Sequence, residues 1–335
     1  MKLAILTRCQ ESFSLRIYRE NIMRELTMLG IEVLPFTEDD PVPKTCDIVW
    51  EPGLAGSRSP HPVLENTQQP IVATVHGAGP FMMKRHEIYP NLFSALRGKI
   101  HEHRTLAAWR WFRIKVSAII TVSEYASHEI SSIFDLPLNI IYSIHHGIDH
   151  DTFHINGERM TIHRNYLLHV SQYQIIKNVE RIFAAYTQLP AENRPELVTI
   201  IPRYKKRALI RGLRIITVSL SQGEIAKWYR GAMGFVFPSL RESFGMPILE
   251  AMACGCPVIT SKVSACPEVA GNAALLVDPR SVVDIANAMK RLMEDKTLRD
   301  SLQQKGLLRA QQFNWKKSAE EHLEVFKNTV RTVRA

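Results

Sequence analysis

Two glutamates eight positions apart, Glu242 and Glu250, bracket the start of a segment that reads as a helix. An ionised carboxylate only accepts hydrogen bonds and can take two hydroxyl protons at once. Two of them beside the bare amide N–H groups of a helix N-terminus suit an oxygen-rich ligand such as a sugar or a ribose. Lys177, followed by Asn178, ends a short loop ahead of another helical pattern. An ammonium there can meet a diphosphate as a point charge. His76 closes the apolar run Ile71 to Val75, at the C-terminal edge of the predicted sheet. Each residue alone also has a plain structural reading: a solvated loop acid, a helix-dipole acid, a surface lysine, a strand-end cap. The surrounding pattern decides between the two.

That pattern is a strand, loop, helix and strand in succession. Met233 to Phe237 is apolar and aromatic, as in a buried strand, and Pro238 stops it. Arg241, Glu242, Ser243 and Phe244 follow as a loop, and Gly245 frees the backbone to turn. Pro247 suits a first helical turn, and Ile248, Leu249, Ala251 and Met252 continue the helix up to Gly255. Pro257 to Thr260 opens the next strand. The polar loop therefore lies at the C-terminal end of a parallel strand, where open α/β sheets bind ligands.

The rest of the chain has the same organisation. In the first half, strands are predicted at Leu3–Thr7, Ile31–Pro35, Asp47–Trp50, Ile71–Val75, Ala118–Val122 and Ile140–Ile144. Ser123 is placed to cap a helix through Phe134. After the polar turn His145 to Phe153 the alternation restarts, with strands at Tyr166–Val170, Leu197–Ile201 and Leu213–Val218, and the run Ala274 to Pro279 follows the Glu242 segment. Helices are predicted at Val179–Leu189, Gln222–Arg230, Val283–Glu294 and Leu298–Gln312, and finally from Lys316 to about Val333. Alternation of this kind predicts an α/β fold with parallel sheets covered on both faces. A chain of 335 residues has room for two such domains.

The run Glu-x-Phe-Gly-x-Pro-x-x-Glu-Ala-Met-Ala-x-Gly-x-Pro-Val-Ile, from Glu242 to Ile259, resembles the donor-site signature of retaining GT-B glycosyltransferases of the family 4 type, the glycosyl transferases group 1. The resemblance implies two Rossmann-like domains facing across a cleft. Residues 1–148 would form the acceptor side, 149–315 the nucleotide-sugar domain, and 316–335 a helix crossing back to the first domain. It implies a retained anomeric configuration, a UDP- or GDP-linked sugar as substrate, a glycan or lipid-linked acceptor, and no metal or other cofactor. Glu242, Ser243, Phe244, Gly245 and Met246 would hold the donor sugar. Ser171, Lys177, Arg203, Pro247, Ile248 and Glu250 would hold the nucleotide. His76, Lys177 and Glu242 would serve catalysis.

The chain departs from the family pattern at several points. Ser171 stands where glycine is usual, and Gln172 and Ile176 stand where arginine is usual. One cation of the basic run Arg203, Lys205, Lys206, Arg207, Arg211 and Arg214 could replace that arginine. The loop after the first strand, Thr7 to Ser14, has none of the usual glycines. Two further readings follow: a nucleotide-sugar 2-epimerase of the same fold, which needs no acceptor, and a non-catalytic binder of nucleotides or anionic surfaces.

Charge and cysteines narrow the partners. Up to His150 there are 15 Lys and Arg against 16 Asp and Glu, and from Asp151 onward 27 against 17. The second half therefore prefers an anion. No nucleic-acid motif accompanies the basic run, so nucleic acid is not expected. The five cysteines, Cys9, Cys46, Cys254, Cys256 and Cys266, fit no zinc spacing and read as reduced thiols of a cytoplasmic protein. Asp149 and Asp151 read as a turn, not a metal pair. Neither a signal peptide nor a membrane span is expected. Between Leu96 and Val116 there are six cations against the single acid Glu102, interleaved with Trp109, Trp111, Phe112 and Ile114. Residues 97–115 thus match an interfacial helix that meets anionic lipid at the inner face of a membrane, as well as a helix with a basic outer side.

Overall fold

The computed structural model describes residues 1–55, 58–82, 91–206 and 209–334. Arg207 of the basic run lies outside them. The chain divides into two compact units, one holding Met1–Gly147 and the C-terminal helix, the other Ile148–Asn314.

The first unit is built on a six-stranded parallel sheet in the order β2-β1-β3-β4-β5-β6. Its strands are β1 (Lys2–Thr7), β2 (Glu32–Thr37), β3 (Ile48–Leu54), β4 (Ile71–Val75), β5 (Val116–Thr121) and β6 (Ile141–Ser143). Every residue of β3 and β4 is buried, as befits strands covered on both faces. The helices are α1 (Phe13–Met28), the single turn α2 (Gly79–Met82), α3 (Leu92–Lys115) and α4 (Glu124–Phe134). The α4 start is capped as its serine predicts, with Ser123 Oγ accepting the Ala126 N–H at 3.0 Å. Asn91 caps α3 in the same way through the Ser94 N–H, at 2.8 Å. This places the α3 start ahead of the cationic run.

The second unit has a six-stranded parallel sheet in the order β12-β11-β10-β7-β8-β9. Its strands are β7 (Tyr166–Val170), β8 (Glu196–Ile200), β9 (Leu213–Ile216), β10 (Gly234–Phe237), β11 (Val258–Ser261) and β12 (Ala274–Val277). They alternate with α5 (Val179–Thr187), α6 (Gln222–Gly231), α7 (Met246–Ala253) and α8 (Cys266–Ala270), then α9 (Val282–Glu294) and α10 (Lys296–Ala310). Its core packs Ile182, Tyr186 and Met289 against Leu167, Val236 and Ile259 of the central strands.

The last helix, α11 (Trp315–Arg334), belongs to the first unit and packs on α1. A chain of buried hydrogen bonds fastens it there. The Trp50 Nε1–H donates to Thr74 Oγ1 at 2.9 Å, and Thr74 and Tyr18 share a bond of 3.0 Å. Because His322 Nδ1 lies 2.6 Å from the Ser318 carbonyl, that nitrogen carries the proton. His322 Nε2 is then the acceptor for the Tyr18 hydroxyl, at 2.6 Å.

Candidate active site

In the second unit the chain runs outward from β7 through β8 to β9, then returns to the other side of β7 with β10, β11 and β12. The loops that follow β7 and β10 therefore leave the sheet in opposite directions, and the crevice between them is the switch point where open α/β sheets take ligands. Those two loops carry Lys177 and Glu242.

Lys177 Nζ lies 2.6 Å from Glu242 Oε1, and both side chains are largely buried. The ammonium also sits 5.2 Å from the centre of the Phe237 ring. Sixty-five positions separate the two residues in the chain. What joins them is backbone: the Leu240 N–H donates to the Ile176 carbonyl at 2.8 Å. Asn178 completes the bridge. Its amide nitrogen donates to the carbonyls of Pro238 and Pro279, at 2.8 and 2.7 Å, from a left-handed backbone at φ 64°. Asparagine tolerates that conformation better than most residues. Glu242 is held from behind, with its N–H donating to Ser264 Oγ at 3.0 Å and its carbonyl accepting the Ala265 N–H at 3.2 Å.

Gly245 turns the chain into α7 at φ 106°, and a Cβ there would lie 3.0 Å from Ile248 Cδ1. Pro247 occupies the first turn, and no side chain caps the helix. Glu250 follows on α7. Its Oε2 accepts the Tyr229 hydroxyl at 3.4 Å, and burial pushes its carboxyl up to about 7. This carboxyl is therefore poised to lose its proton at neutral pH. Phe244 is buried against Phe313, with ring centres 5.9 Å apart.

The other candidates have different surroundings. The Ser171 N–H is taken by the Ile200 carbonyl at 3.1 Å. Its hydroxyl meets His169 Nε2 at 2.8 Å, while His169 Nδ1 donates to the Val236 carbonyl at 2.8 Å. Ser171 thus presents lone pairs, its hydroxyl proton being held by the ring. Arg203 is exposed beyond β8 in a left-handed conformation at φ 62°. Lys206 is turned toward Glu180, at 2.7 Å, and Arg214 toward Glu196, at 3.2 Å. His76 belongs to the first unit. Its Nε2–H donates to the Pro52 carbonyl at 2.8 Å, and its ring stacks on His146 with centres 5.5 Å apart. Burial depresses it to about 4, so the imidazole is neutral at pH 7.

Nearby in the first unit, Arg8 closes the glycine-free loop after β1 by pairing with the fully buried Glu51 at 2.8 Å. Asp149 forms a turn, its carboxylate accepting the N–H groups of Asp151 and Thr152 and the Thr152 hydroxyl. Among the described residues, no group of three or more His, Cys, Asp and Glu could hold a metal ion. No described helix is long and apolar enough to cross a membrane.

Sequence reasoning passed over His169, Tyr229 and Ser264, which orient Ser171, Glu250 and Glu242. His169 left a trace, as the one polar side chain inside an otherwise apolar strand. Tyr229 and Ser264 left none, because their contacts are made across the fold.

Residues 156–309 match the family model of glycosyl transferases group 1. The chain is 28% identical over 228 residues to O-antigen chain mannosyltransferase B of Escherichia coli, covering 62% of this chain and 60% of that protein. It is 36% identical over 116 residues to D-inositol 3-phosphate glycosyltransferase of Streptomyces bingchenggensis, covering 34% of this chain and 26% of that one. The chain thus spans less than two thirds of the length of these curated relatives. Sucrose-phosphate synthase of Thermosynechococcus elongatus superposes with a TM-score of 0.76 at 16% identity, over 99% of this chain and 100% of that chain. Anabaena Alr3699/HepE, in complex with UDP and glucose, superposes with a TM-score of 0.71 at 14% identity, over 98% and 100%. The fold is GT-B, with a doubly wound parallel sheet in each unit. The segment that matches the glycosyl transferases group 1 lies within the second unit.

Proposed function

We propose that this chain is an enzyme that transfers a hexose from a nucleotide diphospho-sugar to a glycan acceptor, with retained anomeric configuration and without a metal ion. The observation that carries the reading is the contact of Lys177 and Glu242 at the switch point of the second sheet, eight positions ahead of Glu250, which lies about one turn into an uncapped helix. The mannosyltransferase names among the relatives favour mannose as the first sugar to test. The complex of the like-folded HepE with UDP and glucose supports a nucleotide and a sugar as the paired ligand.

In this reading Glu250 takes the ribose hydroxyls and Glu242 the sugar hydroxyls. The Phe244-Gly245-Met246 backbone lies along the donor at the open start of α7. Lys177 faces the diphosphate. As the bond from the anomeric carbon to the diphosphate oxygen breaks, negative charge grows on that oxygen and the ammonium stabilises it. The acceptor oxygen forms the new bond on the same face, and its proton passes to the departing diphosphate. Positioning supplies the rest of the rate. Arrival of the diphosphate gives Lys177 a second anion, which loosens its hold on Glu242 and frees Oε1 for the sugar.

The test is a panel of UDP- and GDP-sugars, first for thermal stabilisation and then for nucleotide release with and without glycan acceptors. One donor should stabilise the protein and turn over only with an acceptor. Lys177→Ala should lower turnover by about 10²- to 10³-fold. Donor consumed without acceptor would replace this reading with an epimerase. Nucleotide bound with no sugar ever released would replace it with a binding protein.

A further inference from the structure

The α3 helix buries only part of its apolar surface. Trp109 and Phe112 turn inward, with Trp109 stacked on Phe134 at 4.0 Å between ring centres. What α3 leaves outside is a second apolar stripe. Leu92 is 92% exposed, Phe93 66%, Leu96 59%, Ile100 50% and Ile114 83%. Leu92, Leu96 and Ile100 follow one another at four-residue spacing, and the exposed His103 and Ala107 extend the same line toward Ile114. Cations flank the stripe on both sides: Lys99 and Arg110 along one, Arg97 and Arg104 along the other, with the Arg97 guanidinium 4.6 Å over the Phe93 ring. The one acid of the helix, Glu102, is part-buried and off the stripe.

We infer that this exposed face of α3 is a docking surface for an anionic lipid bilayer, entered by Leu92, Phe93, Leu96 and Ile100 with the cations at headgroup level. An apolar centre with basic margins is the pattern of a helix lying in a membrane interface. Two other occupants fit less well. A second copy of the chain would bring its own net charge of +9 and the same cationic helix. A nucleic acid would set its phosphates against leucine and isoleucine side chains. The inference also moves the contact from the tryptophans, where composition puts it, to the first half of the helix. It deepens the proposed transfer reaction, and rests on it, only in naming a lipid-linked glycan as the acceptor class.

The experiment is sedimentation of the full chain with vesicles of phosphatidylglycerol and phosphatidylcholine in equal parts, against phosphatidylcholine alone. Binding to the anionic vesicles should be at least about tenfold tighter, and salt should weaken it. Leu96→Asp/Ile100→Asp and Arg97→Glu/Lys99→Glu should each lose it while keeping the wild-type melting temperature and nucleotide-sugar affinity. Equal, weak binding to both vesicles would overturn the inference, and so would full binding by Leu96→Asp/Ile100→Asp. A dimer in solution that this variant dissolves, in a protein that ignores vesicles, would also overturn it. Nucleotide-sugar binding, read on the same samples, reports on the transfer reaction separately.

Discussion

Glu250 is where burial and ionisation oppose each other. Its carboxyl, raised to about 7 by desolvation, is half-protonated at neutral pH in the free protein. A ribose diol donates two hydrogen bonds to the ionised form, so nucleotide binding must draw off the proton. Affinity for the donor nucleotide should therefore rise as pH goes from 6 to 8, by up to about tenfold. Glu250→Gln should flatten that rise and weaken binding overall. Calorimetric titrations across this range would show it, and a pH-independent affinity in the wild type would refute the role. Linkage runs the other way for stability. A carboxyl whose folded value lies above its ordinary 4.5 favours the fold most at low pH, and that contribution is lost as pH rises through 7. Nucleotide binding and stability thus draw on the same proton in opposite senses.

At the scale of elements, the site depends on two loops being sewn together. Asn178 does this with two buried donations from a left-handed backbone. Asn178→Ala leaves the Pro238 and Pro279 carbonyls without those donors and strains the backbone, which should cost about 2–4 kcal/mol. Asn178→Gly keeps the hydrogen-bond loss but relieves the strain, and should recover about 1 kcal/mol of it. Chemical denaturation of the pair separates the two contributions. Equal stability of the two variants would remove backbone strain from the account. Donor affinity should fall in both, because Lys177 and Glu242 ride on the loops that Asn178 holds.

At the scale of the molecule, buried neutral histidines set the response to acid. His76 and His322 in the first unit and His169 in the second are held near 4 by burial, and His146 in the first is also depressed. The unfolded chain takes up protons at these positions below 6.5, while the folded chain refuses them until near 4. Stability present above 6.5 is therefore lost as pH falls toward 4. Three of these four rings lie in the first unit, in the cluster that fastens α11 to it. Hydrogen exchange should accordingly quicken in β3, β4 and α11 before it does in β7 and β10 as pH is lowered from 7 to 5. The reverse order would show that other groups govern acid unfolding.

The signature from Glu242 to Ile259 and the alternation of strands and helices were legible in the chain itself, because hydrophobic period, proline placement and glycine turns are local properties. They determined the α/β class and the strand–loop–helix frame of the candidate site. Only the tertiary structure decided that Lys177 meets Glu242 across 65 positions, since that depends on where β10 is inserted beside β7. It also decided which aromatic residues of α3 turn inward and which aliphatic ones stay outside. A helix with apolar residues on two sides has two possible inner faces, and its period cannot choose between them. The choice is made by Phe134 on the neighbouring helix, which takes up Trp109 and leaves the Leu92–Ile100 stripe in solvent.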